Sequence, residues 1–312
     1  MATTKHTFVY KTAGTVPIHL DVYLPSTPPS KDNADSSKGL PLLIWFHGGG
    51  LLQGNRDKVA PHHINGVTKH GYALISADYR LSPQVGVGEV LDDVKDCLAW
   101  SATELPRKLA EAASSTTTTT AAPLLDTTRI AVSGSSAGGY LALLAGLYTT
   151  TGPGTPKVVL PIYPITNPRG AFFTTPQPHP LGHIDEAELA PFLDPKAPVQ
   201  ARTLWGDGPR GHFYFYMMQE ANLARLLHID EGDDTFIVAP QIRRRGVYLP
   251  TFVVHGDADR FVGVEQADEV VEALREVGAV VEYERPEGLD HMFDEKEDVE
   301  LEGYYAFLKK HL

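Results

Sequence analysis

Residues 134–139 read GSSAGG, which sets Ser136 midway between Gly134 and Gly138 in the pattern G-x-S-x-G. A serine hydroxyl so placed can attack a carbonyl carbon if a base takes its proton and fixed N–H groups receive the developing oxyanion. Ser135 sits one residue early and lacks the symmetric glycines. Gly and Ser also crowd together in ordinary turns, so the motif needs a context. That context is an apolar run, RIAVS, leading in and a helical pattern, AGGYLALLAGLY, leading out. Strand, turn and helix in this order make a nucleophile elbow, with the serine at a helix N-terminus where free N–H groups favour negative charge.

The partners that such a serine needs have candidates elsewhere in the chain. HGGG (47–50) closes the apolar run PLLIWF and offers backbone N–H groups from a tight turn. HGDADRFV (255–262) supplies two acids. Asp257 directly follows a strand and can stabilise the turn, whereas Asp259 lies further into the loop and is favoured as the residue that reaches a histidine. His291, in PEGLDHMFD, is the only one of the 13 histidines between the last strand pattern and the last helix pattern. His47 reads as a support for the glycine turn, and the histidines at 62, 63, 179, 183 and 212 as loop or cap residues. No histidine or carboxylate spacing suggests a metal site, and the chemistry requires no cofactor.

Elements that could carry these groups alternate along the chain. TFVYKT and IHLDVYLP read as an antiparallel opening pair, and PLLIWFH, YALISADYR, RIAVSGS, KVVLPIY, TFVVHGD and VVEYERP as later strands. Helical patterns lie between them, as in EVLDDVKDCLAWSATEL and EQADEVVEALREVG. An α/β fold is expected, with a mostly parallel central sheet covered by helices on both faces. The rhythm stops between about 167 and 245, a stretch too long for an ordinary loop, and this segment reads as an inserted cap. The core would then comprise residues 1–166 and 246–312. Within the cap, HFYFYMM (212–218) makes Phe213, Phe215 and Met218 candidate substrate-binding residues, unless they only form the cap's own small core. The stretches 26–39 and 113–123 read as surface loops.

Composition narrows the possibilities. The chain has 312 residues and a formal net charge of −12, which opposes nucleic acids and anionic membranes. The basic run at 243–245 reads as a solvated loop. Neither a secretory signal nor a membrane-spanning run is evident, and Cys97 alone can form no internal disulfide, so a cytoplasmic, reduced setting is expected. In VKDCLAW that cysteine reads as a buried helix residue.

HGGG, DYRLSP (78–83), GSSAGG, HGDADRFV and DHMF, taken together and in order, resemble the α/β-hydrolase superfamily and its hormone-sensitive-lipase-like esterases. The resemblance covers most of the chain, although the cap matches in placement only. It implies Ser136 as nucleophile, Asp259 as acid and His291 as base, with an oxyanion hole on the N–H groups of Gly49, Gly50 and Ala137. It also implies a small-molecule ester or acyl substrate. Ser135 stands where that branch usually has an acid, and Met292 where it commonly has glycine. A lactone, a thioester or an acylated natural product of secondary metabolism is the alternative substrate, and a non-catalytic ligand receptor is the alternative outside enzymes.

Overall fold

Strand β3 (Leu40–Phe46) shows in its side chains how the sheet divides the core. Leu42, Ile44 and Phe46 join one buried apolar cluster, whereas Leu43 and Trp45 join the other. This period of two is what a strand covered on both faces requires. The computed structural model describes residues 3–26, 39–114, 123–203 and 208–312, so the surface loops expected at 26–39 and 113–123 lie almost wholly outside the described residues.

Eight strands form a single sheet in the order β1-β2-β4-β3-β5-β6-β7-β8. They are β1 (Thr3–Ala13), β2 (Val16–Pro25), β3, β4 (Ala73–Ala77), β5 (Leu125–Ser135), β6 (Val158–Ile162), β7 (Thr251–Val254) and β8 (Val281–Glu284). Only β2 runs against the others: it pairs antiparallel with β1 and β4, while the remaining pairs are parallel. The helices, in chain order, are α1 (Pro61–Gly66), α2 (Val87–Thr103), α3 (Leu105–Ser114), α4 (Ala137–Tyr148), α5 (Ala171–Thr174), α6 (Glu186–Leu193), α7 (Phe213–Glu220), α8 (Leu223–Leu226), α9 (Val238–Arg245), α10 (Glu265–Glu276) and α11 (Glu302–His311). Helices α2, α3, α4, α9 and α10 contribute to the first cluster and α11 to the second, so both faces of the sheet are covered. No helix among the described residues is long and apolar enough to cross a membrane.

Three local readings change in the structure. Arg243–Arg245 form the last turn of α9 instead of a loop, and Arg243 pairs there with Glu276. Cations at a helix C-terminus complement its dipole. His62 and His63 are buried in α1, not placed in a loop. Finally, α9 falls within the 167–245 segment but packs on α4 and α10, beside the sheet. Cys97 is buried in α2, and that burial pushes its thiol pKa well up.

Helix α4 is apolar on every side and buried from Ala137 to Leu147, as expected of a helix enclosed by other elements. Leu144→Ala should therefore open a cavity and cost about 2–5 kcal/mol. The check is the unfolding midpoint in urea, which should fall clearly below that of the parent protein.

Candidate active site

Parallel strands end on a common edge, and the candidate residues are carried there by the turns that follow β3, β5, β7 and β8. After β5 the chain turns at Ser136 with φ 57° and ψ −117°, a strained conformation for a residue with a side chain. Its backbone N–H donates to Ile162 at 2.9 Å, and its carbonyl accepts from Tyr140 at 3.1 Å and Ile165 at 3.2 Å. Glycines on either side make this turn possible. A Cβ on Gly134 would lie 2.2 Å from the Gly138 backbone, and one on Gly138 would lie 1.9 Å from the Phe46 carbonyl.

The glycine turn after β3 is built by buried polar groups. Tyr79 stacks on His47 with ring centroids 4.1 Å apart, and its hydroxyl donates to the His47 carbonyl at 2.7 Å. His47 Nδ1 bonds the Gly48 carbonyl at 2.8 Å. Burial lowers the His47 pKa to about 4, so the ring is neutral at physiological pH and supports the turn. On either side of Tyr79, Asp78 pairs with Arg56 and Arg80 with Asp93. The DYR run is thus a brace for the loop at 47–56. Gly49 lines the cavity beside Ser136, whereas Gly50 faces the Tyr214 ring and Ala137 opens α4.

Asp259 and His291 come together across two loops. His291 Nδ1 lies 2.7 Å from Asp259 Oδ2, while Asp259 Oδ1 accepts the N–H groups of Phe261 (2.8 Å) and Val262 (2.9 Å). His255 Nε2 lies 3.2 Å from the same carboxylate. Burial alone would raise the Asp259 pKa. The charge of His291 and the hydrogen bonds from His255, His291 and Val262 outweigh burial and hold it well below the usual carboxylate range. Asp257 instead accepts the Gly288 N–H at 2.6 Å and fixes the turn between the loops. Arg260 and Asp290 clamp the same two loops from outside.

Ser136 and His291 line one cavity of about 840 Å³, including its open mouth. Among the described hydrogen bonds none joins the two side chains, a contact that often tightens only when substrate is bound. Aromatic walls dominate the rest of the cavity, with Trp45, Tyr163, Tyr214, Phe215 and Phe261 among its lining. Of the three cap residues expected to bind substrate, only Phe215 is there. Phe213 and Met218 are buried and join the large core, because α7 turns its inward stripe toward that core. Tyr214, between Phe213 and Phe215, lines the cavity instead, and its hydroxyl donates to the Phe261 carbonyl at 2.6 Å. The aromatic clustering in HFYFYMM was the signal, but it did not separate the two sides of a short helix.

Comparisons with known proteins bear on the fold and on the stretch that carries the glycine turn and the elbow. The family model described as BD-FAE matches residues 20–153, which include HGGG, DYRLSP and GSSAGG. An alpha/beta hydrolase superfamily protein from Enterococcus faecalis superposes with a TM-score of 0.71 at 18% identity, covering 99% of this chain and 98% of that one. Esterase B from Lactobacillus rhamnosis superposes with a TM-score of 0.65 at 15% identity, covering 99% and 87%. The chain therefore has the α/β-hydrolase fold, as the sequence resemblance implied. Similar sequences also occur in the non-reducing polyketide synthase pkbA of Emericella nidulans (26% identity over 97% of this chain) and in the methylphloroacetophenone synthase of Cladonia uncialis (26% over 92%). This chain spans only 14% and 12% of those two relatives' lengths.

The Asp259 carboxylate has a lower pKa folded than unfolded. It therefore stabilises the fold above its unfolded pKa of about 3.9, and this contribution is lost as pH falls further. The urea midpoint of Asp259→Asn should lie below that of the parent at neutral pH, and the gap should shrink toward about pH 3. A gap that stays constant would contradict the linkage.

Proposed function

We propose that the protein is a serine hydrolase that cleaves a carboxylic ester or thioester through Ser136, His291 and Asp259. The observation that carries this reading is the strained Ser136 turn opening into the cavity that also holds the Asp259-bound His291. With its Nδ1–H donated to Asp259, the imidazole keeps Nε2 free to accept a proton. Ser136 Oγ forms a bond to the carbonyl carbon while Nε2 takes the hydroxyl proton. The resulting oxyanion is received by the N–H groups of Gly49, Gly50 and Ala137, each worth about 3 kcal/mol. The bond from the acyl carbon to the leaving oxygen or sulfur then breaks, and His291 returns the proton to that leaving group. Water attacks the acyl-serine by the reverse path and releases a free acid.

A thioester is the second reading, and the relatives favour it. Non-reducing polyketide synthases recur among the sequence matches, and nearly the whole of this chain aligns with a small part of each. Acyl chains under assembly on carriers are held as thioesters, so a hydrolase of secondary metabolism that frees such a chain would fit both the fold and the relatives. The aromatic walls suit a flat acyl group. A ligand receptor on the same fold has less support, because it needs neither the strained serine nor the acid–imidazole pair.

Ser136→Ala should abolish labelling by a fluorophosphonate, and Ser135→Ala should retain it. Labelling that survives in Ser136→Ala would remove Ser136 as nucleophile. With the fold intact, Asp259→Asn should lower kcat by about 10⁴-fold, since the imidazole then favours the wrong tautomer. Asp257→Asn should be much milder. A panel of p-nitrophenyl esters and aryl thioesters, compared by kcat/KM, decides between the two acyl donors. Absence of turnover across the whole panel would favour the receptor.

A further inference from the structure

The wall behind His291 contains a second acid–imidazole pair that this chemistry leaves unused. Asp294 is fully buried, accepts the Tyr163 hydroxyl on Oδ1 and faces His62 Nε2 on Oδ2 at 3.2 Å. His62 Nδ1 lies 2.8 Å from the Tyr305 hydroxyl, and all four side chains are buried. Burying a carboxylate is costly unless its oxygens are satisfied, and a phenol and an imidazole satisfy these two. An apolar floor would fill the same space without that cost.

Tyr163 connects this pair to the site. Its ring centroid lies 4.3 Å from that of His291, with the planes inclined at 52°, and Phe261 covers the imidazole from 5.7 Å. Its backbone has φ 35°, a left-handed conformation that is strained for a tyrosine and persists only where surrounding contacts enforce it. The enforcing contacts are its N–H, donated to the Val254 carbonyl at 2.7 Å, and its hydroxyl, donated to Asp294. A strained residue pinned at both ends and laid against the imidazole has little freedom to move.

We infer that Tyr163, anchored by the Asp294–His62 pair, is a positioning residue that fixes the imidazole plane of His291, with Nδ1 on Asp259 and Nε2 toward Ser136. This rests on the reading of His291 as the base. Tyr163→Phe keeps the ring and removes the anchoring hydroxyl, and Asp294→Asn keeps the shape and removes the charge. The Nδ1–H proton between His291 and Asp259, whose heavy atoms lie 2.7 Å apart, should give a downfield proton NMR resonance, to be assigned by its absence in Asp259→Asn. In Tyr163→Phe this resonance should shift or broaden, and kcat for p-nitrophenyl butyrate should fall about tenfold, since small misplacements of a reacting group are costly. KM should stay within about twofold, because Tyr163→Phe keeps the ring that lines the cavity. Asp294→Asn should behave similarly, and if it does not fold, Tyr163→Phe decides alone. An unmoved resonance or an unchanged kcat in Tyr163→Phe overturns the inference while leaving the proposed hydrolase intact. If the parent protein shows no turnover that depends on Ser136, the hydrolase reading has failed instead, and the resonance alone decides whether Tyr163 positions the ring.

Discussion

Backbone meets backbone where the first turn of α4 crosses the ends of β3 and β5, and the rest of the site depends on that contact. Any side chain on Gly138 would strike the Phe46 carbonyl, and any on Gly134 would strike Gly138. Their absence lets the helix start directly against the sheet and holds Ser136 in its strained turn, aimed at the cavity. The same contact sets the glycine turn at 47–50 beside the serine, so that a Cβ on Gly48 would lie 3.1 Å from the Ser136 Cβ. The proposed nucleophile and oxyanion donors are therefore placed relative to each other by main chain, the least mobile material available.

The loop from 47 to 56 has a second set of restraints from the 167–245 segment. Arg210, buried and with no carboxylate partner among the described residues, donates to the Leu52 carbonyl at 3.1 Å and to the Ser82 carbonyl at 3.0 Å. Burial lowers its pKa to about 10, still far enough above neutrality to keep it charged. Thr203 exchanges two hydrogen bonds with Gly54, and the Tyr214 N–H donates to Gln53 at 3.2 Å. The apolar residues of that segment are also continuous with the core over the first face of the sheet. The position of this segment and the shape of the glycine turn are consequently coupled through the same few residues.

How much of this was legible in the sequence depends on the kind of constraint. The elbow, the glycine turn and the alternation of strands and helices are local patterns, and each has a residue signature that survives without coordinates. The favoured choice of Asp259 over Asp257 used only distance along a loop, and the structure brings Asp259 to His291 while Asp257 holds a turn. The buried group of His62, Asp294 and Tyr163 is assembled from three distant segments, so no spacing announces it. Phe213 and Met218 were candidates because they are large and apolar, but a short helix turns such residues inward as readily as toward a ligand. Helix α9 has a weak sequence signature, because its apolar stripe, Val238, Ala239 and Ile242, is short and sits beside a basic run.

The most direct test of the central claim is to trap the acyl-enzyme. The protein is mixed with a slowly turned-over p-nitrophenyl ester of an aromatic acid, quenched in acid during the release of p-nitrophenol, digested and analysed by mass spectrometry. The expected result is one acyl group per chain, carried on the peptide that contains Ser136 and lost when that serine is replaced by alanine. Release of p-nitrophenol with the acyl group on another residue, or with no acyl group trapped at all, would contradict nucleophilic catalysis by Ser136.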